Sequence, residues 1–132
     1  MKKIFLIDDD TDDRDMFREA LSLLNIPVEY MEAADGQEGL DLLLLPGAMA
    51  PDVIFVDLNM PRINGLEFVI RLRQLPHFQK TPVYMYTTSA SPRERVNSIT
   101  AGATGYIVKH VKLRDLVDEL NIVLSRLPVP NA

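Results

Sequence analysis

Three short apolar runs constrain this chain most: "KIFLID" at 3–8, "DVIFVD" at 52–57 and "PVYMYT" at 82–87. β-Branched and aromatic side chains dominate them, which favours strands. Each run is apolar at successive positions rather than at alternate ones, and each ends in a polar residue. A strand of that kind has both faces covered, as in a parallel sheet between two helix layers. Two weaker runs, "VEYMEA" at 28–33 and "GYIVK" at 105–109, read as further strands.

Helical patterns fill the intervals. Residues 11–25 place Met16, Phe17, Ala20, Leu21 and Leu24 on one face, a helical period. Thr11 reads as the N-cap, with Asp12 and Asp13 in the first turn, where the helix dipole favours negative charge. Residues 35–45 form a second helix stopped by Pro46-Gly47, and 65–75 a third ended by Pro76. Residues 91–102 carry Pro92 at a helix start and Gly102 at its stop. Residues 112–127 form the last, before Pro128 and Pro130. Strand and helix thus alternate through five units, which predicts an α/β fold with a mostly parallel sheet. Right-handed crossovers place helices on both faces. At 132 residues and 47% hydrophobic content, a single core suffices. The reading is one domain over 1–127 and a short, loose C-terminal tail at 128–132.

Composition removes several classes of function. The formal net charge is −5, unsuited to non-specific binding of nucleic acid, which needs clustered Lys and Arg. The absence of cysteine excludes disulfides and thiolate metal sites. No apolar stretch reaches the length of a membrane span, and aspartates interrupt the first run too early for a secretion signal. A cytoplasmic location is expected. No G-x-G-x-x-G follows the first strand and no G-x-x-x-x-G-K-[ST] occurs, so dinucleotide and P-loop sites are not expected. His77 and His110 are the two histidines, and no serine–histidine–acid triad is in prospect.

In open α/β sheets, ligands bind beyond the carboxyl ends of the strands. Those ends carry Asp8 and Asp9, Asp57, Thr87 and Thr88, and Lys109. The first end opens a run of five aspartates within 8–13. Carboxylates brought together repel unless a positive charge intervenes. A hard divalent cation with oxygen ligands answers that need, and Mg²⁺ commonly takes one or two carboxylates and shares a phosphate. Asp8 and Asp9 read as metal-site residues, and Asp12 and Asp13 as helix first-turn charges. Asp10 lies at the edge of the site and is assigned no role.

The combination "IDD", "DLNMPRING", "YTTS" and "GYIVK" resembles the response-regulator receiver domain of two-component signalling. Its D-x-x-M-P-x-x-x-G pattern is met by Asp57, Met60, Pro61 and Gly65, and the resemblance covers nearly the whole chain. It implies a five-stranded parallel sheet in the order 2-1-3-4-5 with helices on both faces. It implies Asp57 as phosphoryl acceptor, and Mg²⁺ held by Asp8, Asp9, Asp57 and the backbone carbonyl of Asn59. Thr87 and Lys109 would engage the phosphoryl oxygens, with Thr88 flanking them, and Tyr106 would move with Thr87. Physical chemistry supports the arrangement: a carboxylate and a phosphoryl group are both negative, and a cation with an ammonium cancels that repulsion.

The resemblance further implies a sensor histidine kinase as donor, docking near the first helix, and slow self-dephosphorylation rather than enzymatic turnover. Asn59 and Ser89 flank the site and would set the phosphoryl lifetime. No output domain is expected after Leu127. The signal is therefore expected to leave through a protein partner or a homodimer, by the face of the fourth helix, fifth strand and fifth helix. Thr-Thr-Ser and a non-proline after the lysine resemble stand-alone receivers paired with phytochrome-like kinases; chemotaxis-type single-domain receivers are the other likeness. The family usually has proline after the lysine, giving a cis peptide; His110 stands here, so a trans or strained link is expected. Two rival classes stay open. An aspartyl-phosphate phosphohydrolase would want a second aspartate where Asn59 stands, and an interaction module would keep the site idle.

Overall fold

The computed structural model describes residues 1–128. The expected tail therefore lies outside the described residues, apart from Pro128. The order of elements is β1 (Lys2–Ile7), α1 (Thr11–Ser22), β2 (Val28–Ala33), α2 (Gly36–Leu43), β3 (Val53–Val56), α3 (Gly65–Arg73), β4 (Val83–Thr87), α4 (Pro92–Ala101), β5 (Gly105–Val108) and α5 (Leu113–Ser125). A 3-10 turn at Pro76–Phe78 lies between α3 and β4. The five strands form one parallel sheet in the order β2-β1-β3-β4-β5.

The apolar runs divide their residues between two cores. Phe5, Ile7, Ile54, Val56, Val83 and Met85 pack on one side, with Phe68, Val69 and Leu72 of α3 and Leu40 and Leu43 of α2. Ile4, Leu6, Val53, Phe55, Tyr86 and Ile107 face the other, with Phe17 and Leu21 of α1 and Leu116 and Leu120 of α5. Successive strand residues point to opposite faces, so both faces being covered is what makes the runs continuous. Met16 and Leu24 are partly buried against the second core, so the predicted stripe of α1 faces inward.

Element existence matches the sequence reading, and the ends differ by short steps. The cap of α1 is Asp10, whose side chain accepts from the Asp13 N–H at 3.0 Å. Thr11, the expected cap, is already helical, because the aspartate one position earlier reaches the free N–H groups first. Asp35 and Asn64 cap α2 and α3 in the same way. Ser91 caps α4, Pro92 occupies its first turn, and Gly102 ends it at φ 119°, a left-handed conformation suited to glycine. β1 stops at Ile7 and β3 at Val56, so Asp8 and Asp57 stand just beyond the ladder. The last strand likewise ends one residue before Lys109. Among the described residues, no helix is long and apolar enough to cross a membrane.

Candidate functional site

Strand register assembles the site. Ile7 pairs with Val56, and the Asp57 N–H donates to the Ile7 carbonyl at 2.9 Å. The Asp8 N–H donates to the Ala33 carbonyl at 3.1 Å, and the Lys109 N–H to Thr87 at 2.7 Å. Residues that follow different strands thus reach the same edge of the sheet. Asp8 is fully buried, Asp57 and Thr87 are buried, and Asp9 is exposed. Carboxylate oxygens of Asp8, Asp9 and Asp57 all lie within 4.8 Å of one another.

Lys109 supplies the positive charge among them. Its Nζ lies 2.9 Å from Asp8 Oδ2, 2.7 Å from Asp13 Oδ2 and 3.6 Å from Asp57 Oδ2, and its side chain is only 8% exposed. It also sits 5.3 Å from the centroid of the Tyr86 ring. The Asp13 contact is a hydrogen bond. The Asp8 contact lacks hydrogen-bond geometry, so Asp8 Oδ2 is a buried oxygen with no hydrogen-bond donor. The ion pair with Lys109 satisfies this oxygen only in part, and a hard cation beside Asp9 and Asp57 would complete its coordination. The donor set is all oxygen and fits Mg²⁺.

Burial raises the pKa values of both inner acids. Desolvation pushes Asp57 up to about 6, against a pull downward from Lys109 and a push upward from Asp8. Asp8 is also raised, by burial first, with Lys109 and the Asp10 N–H opposing it. Burial would lower the Lys109 pKa, but the hydrogen bond to Asp13 and the nearby carboxylates of Asp8 and Asp57 outweigh it, and the net shift is upward.

Loops hold these groups in place. Asp8 Oδ1 accepts the Asp10 N–H at 3.0 Å, and Arg14 donates to the Asp8 carbonyl at 2.6 Å. Asp57 Oδ1 accepts weakly from the Asn59 N–H at 3.4 Å; Asn59 itself is exposed. After Asp57 the chain turns through buried Met60 and Ile63 and through Arg62 at φ 65°. Gly65 opens α3 under the acid: a Cβ there would sit 2.4 Å from the Asp57 carbonyl oxygen and 2.9 Å from Leu58 Cα. The terminal glycine of the D-x-x-M-P-x-x-x-G pattern is therefore required by close approach.

On the other side, Thr87 Oγ1 accepts the Ser89 N–H at 3.2 Å. Thr88 is exposed. Tyr106 is turned inward: it is 7% exposed and its hydroxyl donates to the Ser89 carbonyl at 2.8 Å. The Arg95 guanidinium lies 5.3 Å from the centroid of that ring. Ser89 Oγ donates to Glu94 at 2.8 Å, which ties the loop after β4 to α4. His110 lies 3.3 Å from Glu119 through Nε2, and His77 is exposed in the 3-10 turn. Among the described residues no peptide bond is cis, so the Lys109–His110 link is trans.

The structure thus gathers Asp8, Asp9, Asp57 and Lys109, and lays Thr87 along the same edge with Tyr106 reaching the next loop. The sequence reading missed Asp13 as a partner of Lys109. Its only sequence signal was surplus charge: it is the third helical residue of α1, and an acid there is already explained by the helix dipole.

Comparison with known proteins places the chain in a family. Residues 4–121 match the response regulator receiver domain family. The chain is 35% identical over 124 residues to the response regulator MprA of Mycolicibacterium vanbaalenii, covering 94% of this chain and 51% of that protein. It therefore spans about half the length of that relative. The Mn²⁺-bound form of response regulator Rcp1 superposes with a TM-score of 0.83 at 27% identity, covering 98% of this chain and 100% of that one. The phosphorylated cyanobacterial phytochrome response regulator RcpA gives 0.86 at 30% identity, covering 97% and 99%. With the register, the acids and the lysine already in place, these matches show that the chain belongs to the response regulator receiver domain family.

Proposed function

We propose that this chain is a cytoplasmic receiver that takes a phosphoryl group on Asp57 from the phosphohistidine of a sensor histidine kinase. The observation that carries the reading is the buried Asp57 carboxylate with Asp8, Asp9 and Lys109 around it. Asp8, Asp9, Asp57 and the Asn59 carbonyl would hold Mg²⁺. The cation, when bound, neutralises negative charge between acceptor and phosphoryl oxygens.

An Asp57 oxygen forms the bond to phosphorus as the donor's phosphorus–nitrogen bond breaks. Lys109 stabilises the equatorial oxygens, and the Thr87 hydroxyl donates to one of them after releasing its local turn. Thr88 stands beside that path. The charge carried by the new group biases the loop after β4. Tyr106 links that loop to β5 and Glu94 links it to α4, so the face of α4, β5 and α5 changes its presentation to a protein partner or a second copy. Exposed Val96, Ile99 and Ile122 furnish apolar contacts on its helices. Water then returns Asp57 to a carboxylate slowly, at a rate tuned by Asn59 and Ser89. Asn59 stands where a phosphohydrolase would want its second aspartate, so catalytic turnover of phosphoesters is not expected. That relatives carry a phosphorylated phytochrome response regulator and an Mn²⁺-bound form supports a phytochrome-like kinase and a divalent cation.

The test is intact-protein mass after incubation with Mg²⁺ and acetyl phosphate. Wild type gains one phosphoryl group, and Asp57→Ala and metal-free samples gain none. A gain in Asp57→Ala would move the acceptor elsewhere. No gain in wild type, with none in Thr88→Ala either, would favour an idle interaction module.

A further inference from the structure

The geometry points to Asp13 as a positioning residue that holds Lys109 away from Asp57 until the phosphoryl group arrives. This rests on the proposed transfer to Asp57. The Lys109 ammonium is hydrogen-bonded to Asp13 Oδ2 at 2.7 Å, whereas Asp57 Oδ2 is 3.6 Å away. Lys109 is nearly buried, and Asp13 is about one-third exposed at 33%. The anchor is firm on the backbone side, because the Asp13 N–H is bound by the Asp10 cap at the start of α1. Asp13 thus holds the lysine from a helix end, while Asp57 receives it from a strand end.

An ammonium has three protons to donate. Here three carboxylates stand within reach, and the best-formed bond goes to the one outside the reaction. A phosphoryl group on Asp57 draws Nζ towards that side, and the 2.7 Å bond to Asp13 opposes the movement. The Asp13 bond therefore stabilises the unphosphorylated state selectively. An interaction present in one state only shifts the balance between them. Removing it leaves Lys109 free to engage the incoming group, so Asp13 acts as a brake on phosphorylation through Lys109.

Asp12 supplies the control. It shares the first turn of α1 with Asp13 and carries the same charge, but it is exposed. Phosphoryl occupancy is read by intact mass across an acetyl phosphate titration with Mg²⁺. For Asp13→Asn the half-saturating donor concentration should fall about fivefold, the scale of one charge-assisted hydrogen bond after solvent screening. Asp12→Asn should stay within about twofold of wild type, since an exposed charge acts only through a screened field. Asp13→Glu should return the behaviour towards wild type. In a Lys109→Met background, adding Asp13→Asn should change nothing further.

An Asp13→Asn shift no larger than that of Asp12→Asn overturns the inference and leaves the acceptor assignment standing. A shift that persists with Lys109→Met also overturns it, by showing that Asp13 acts through the general field. Wild type that gains no mass removes the receiver reading and this inference with it.

Discussion

Asp57 sets the electrostatics of this edge. Its pKa is raised to about 6 by burial, while the unfolded chain releases that proton near 3.8. Between those values the native state binds more protons than the unfolded state, so stability falls as pH rises. Above about 6 the whole penalty remains. Asp57→Asn removes it, and should stabilise the metal-free protein by about 2 kcal/mol at pH 7, with the gain vanishing near pH 4. Urea denaturation of both proteins across that range measures it. A gain independent of pH would mean the acid is not carrying a desolvation penalty. That Asp8, Asp9, Asp57, Thr87 and Lys109 share one edge of the sheet was legible because each closes or follows an apolar run. Asp13 was not: its reach to Lys109 spans 96 positions and depends on where α1 starts relative to β5. The inward Tyr106 hydroxyl depends equally on a loop carbonyl that no pattern displays.

Among the elements, α4 differs from its neighbours. Phe68, Val69 and Leu72 anchor α3, and Leu116, Leu120, Val123 and Leu124 anchor α5. In α4 the buried residue is Ser98, with Val96 and Ile99 exposed. Little apolar burial means a low local opening energy. The helix is held instead by polar ties: the Ser91 cap, Ser98 Oγ to the Glu94 carbonyl at 2.8 Å, and Ser89 to Glu94. Amide exchange in α4 should run at least about tenfold faster than in α5, measured residue by residue on the unphosphorylated protein. Equal protection would remove α4 as the more easily opened helix of the proposed output face. Sequence period found this helix less through an apolar stripe than through its punctuation, Pro92 and Gly102. The helix ends carried the reading's errors, since caps are chosen by competition between adjacent side chains: Asp10 outcompeted Thr11.

Over the whole molecule, the order of strands is what converts scattered residues into a site. Alternating strands and helices predicted a parallel sheet, but they do not choose which strand lies at the centre. The order 2-1-3-4-5 came from the family resemblance, and the pairings bear it out. With β1 and β3 adjacent, Asp8 and Asp57 become neighbours, and like charges concentrate at one end of a molecule already at −5. Folding therefore works against repulsion that Lys109 relieves in part, while Asp8 Oδ2 stays without a donor. A cation that binds only the assembled site must stabilise the fold by mass action. Mg²⁺ at about ten times its dissociation constant should add about 1.4 kcal/mol, raising the melting temperature by about 5 °C. Asp9→Asn should lose most of that shift, because in the proposed metal site Asp9 would contribute a ligand oxygen without sharing the Lys109 contact. Sodium chloride at matched ionic strength should fail to reproduce it, since screening acts on exposed charges and the inner acids are buried. A shift that sodium chloride matches, or that Asp9→Asn retains, would assign the stabilisation to the general field of the chain and leave the acid cluster to Lys109 alone.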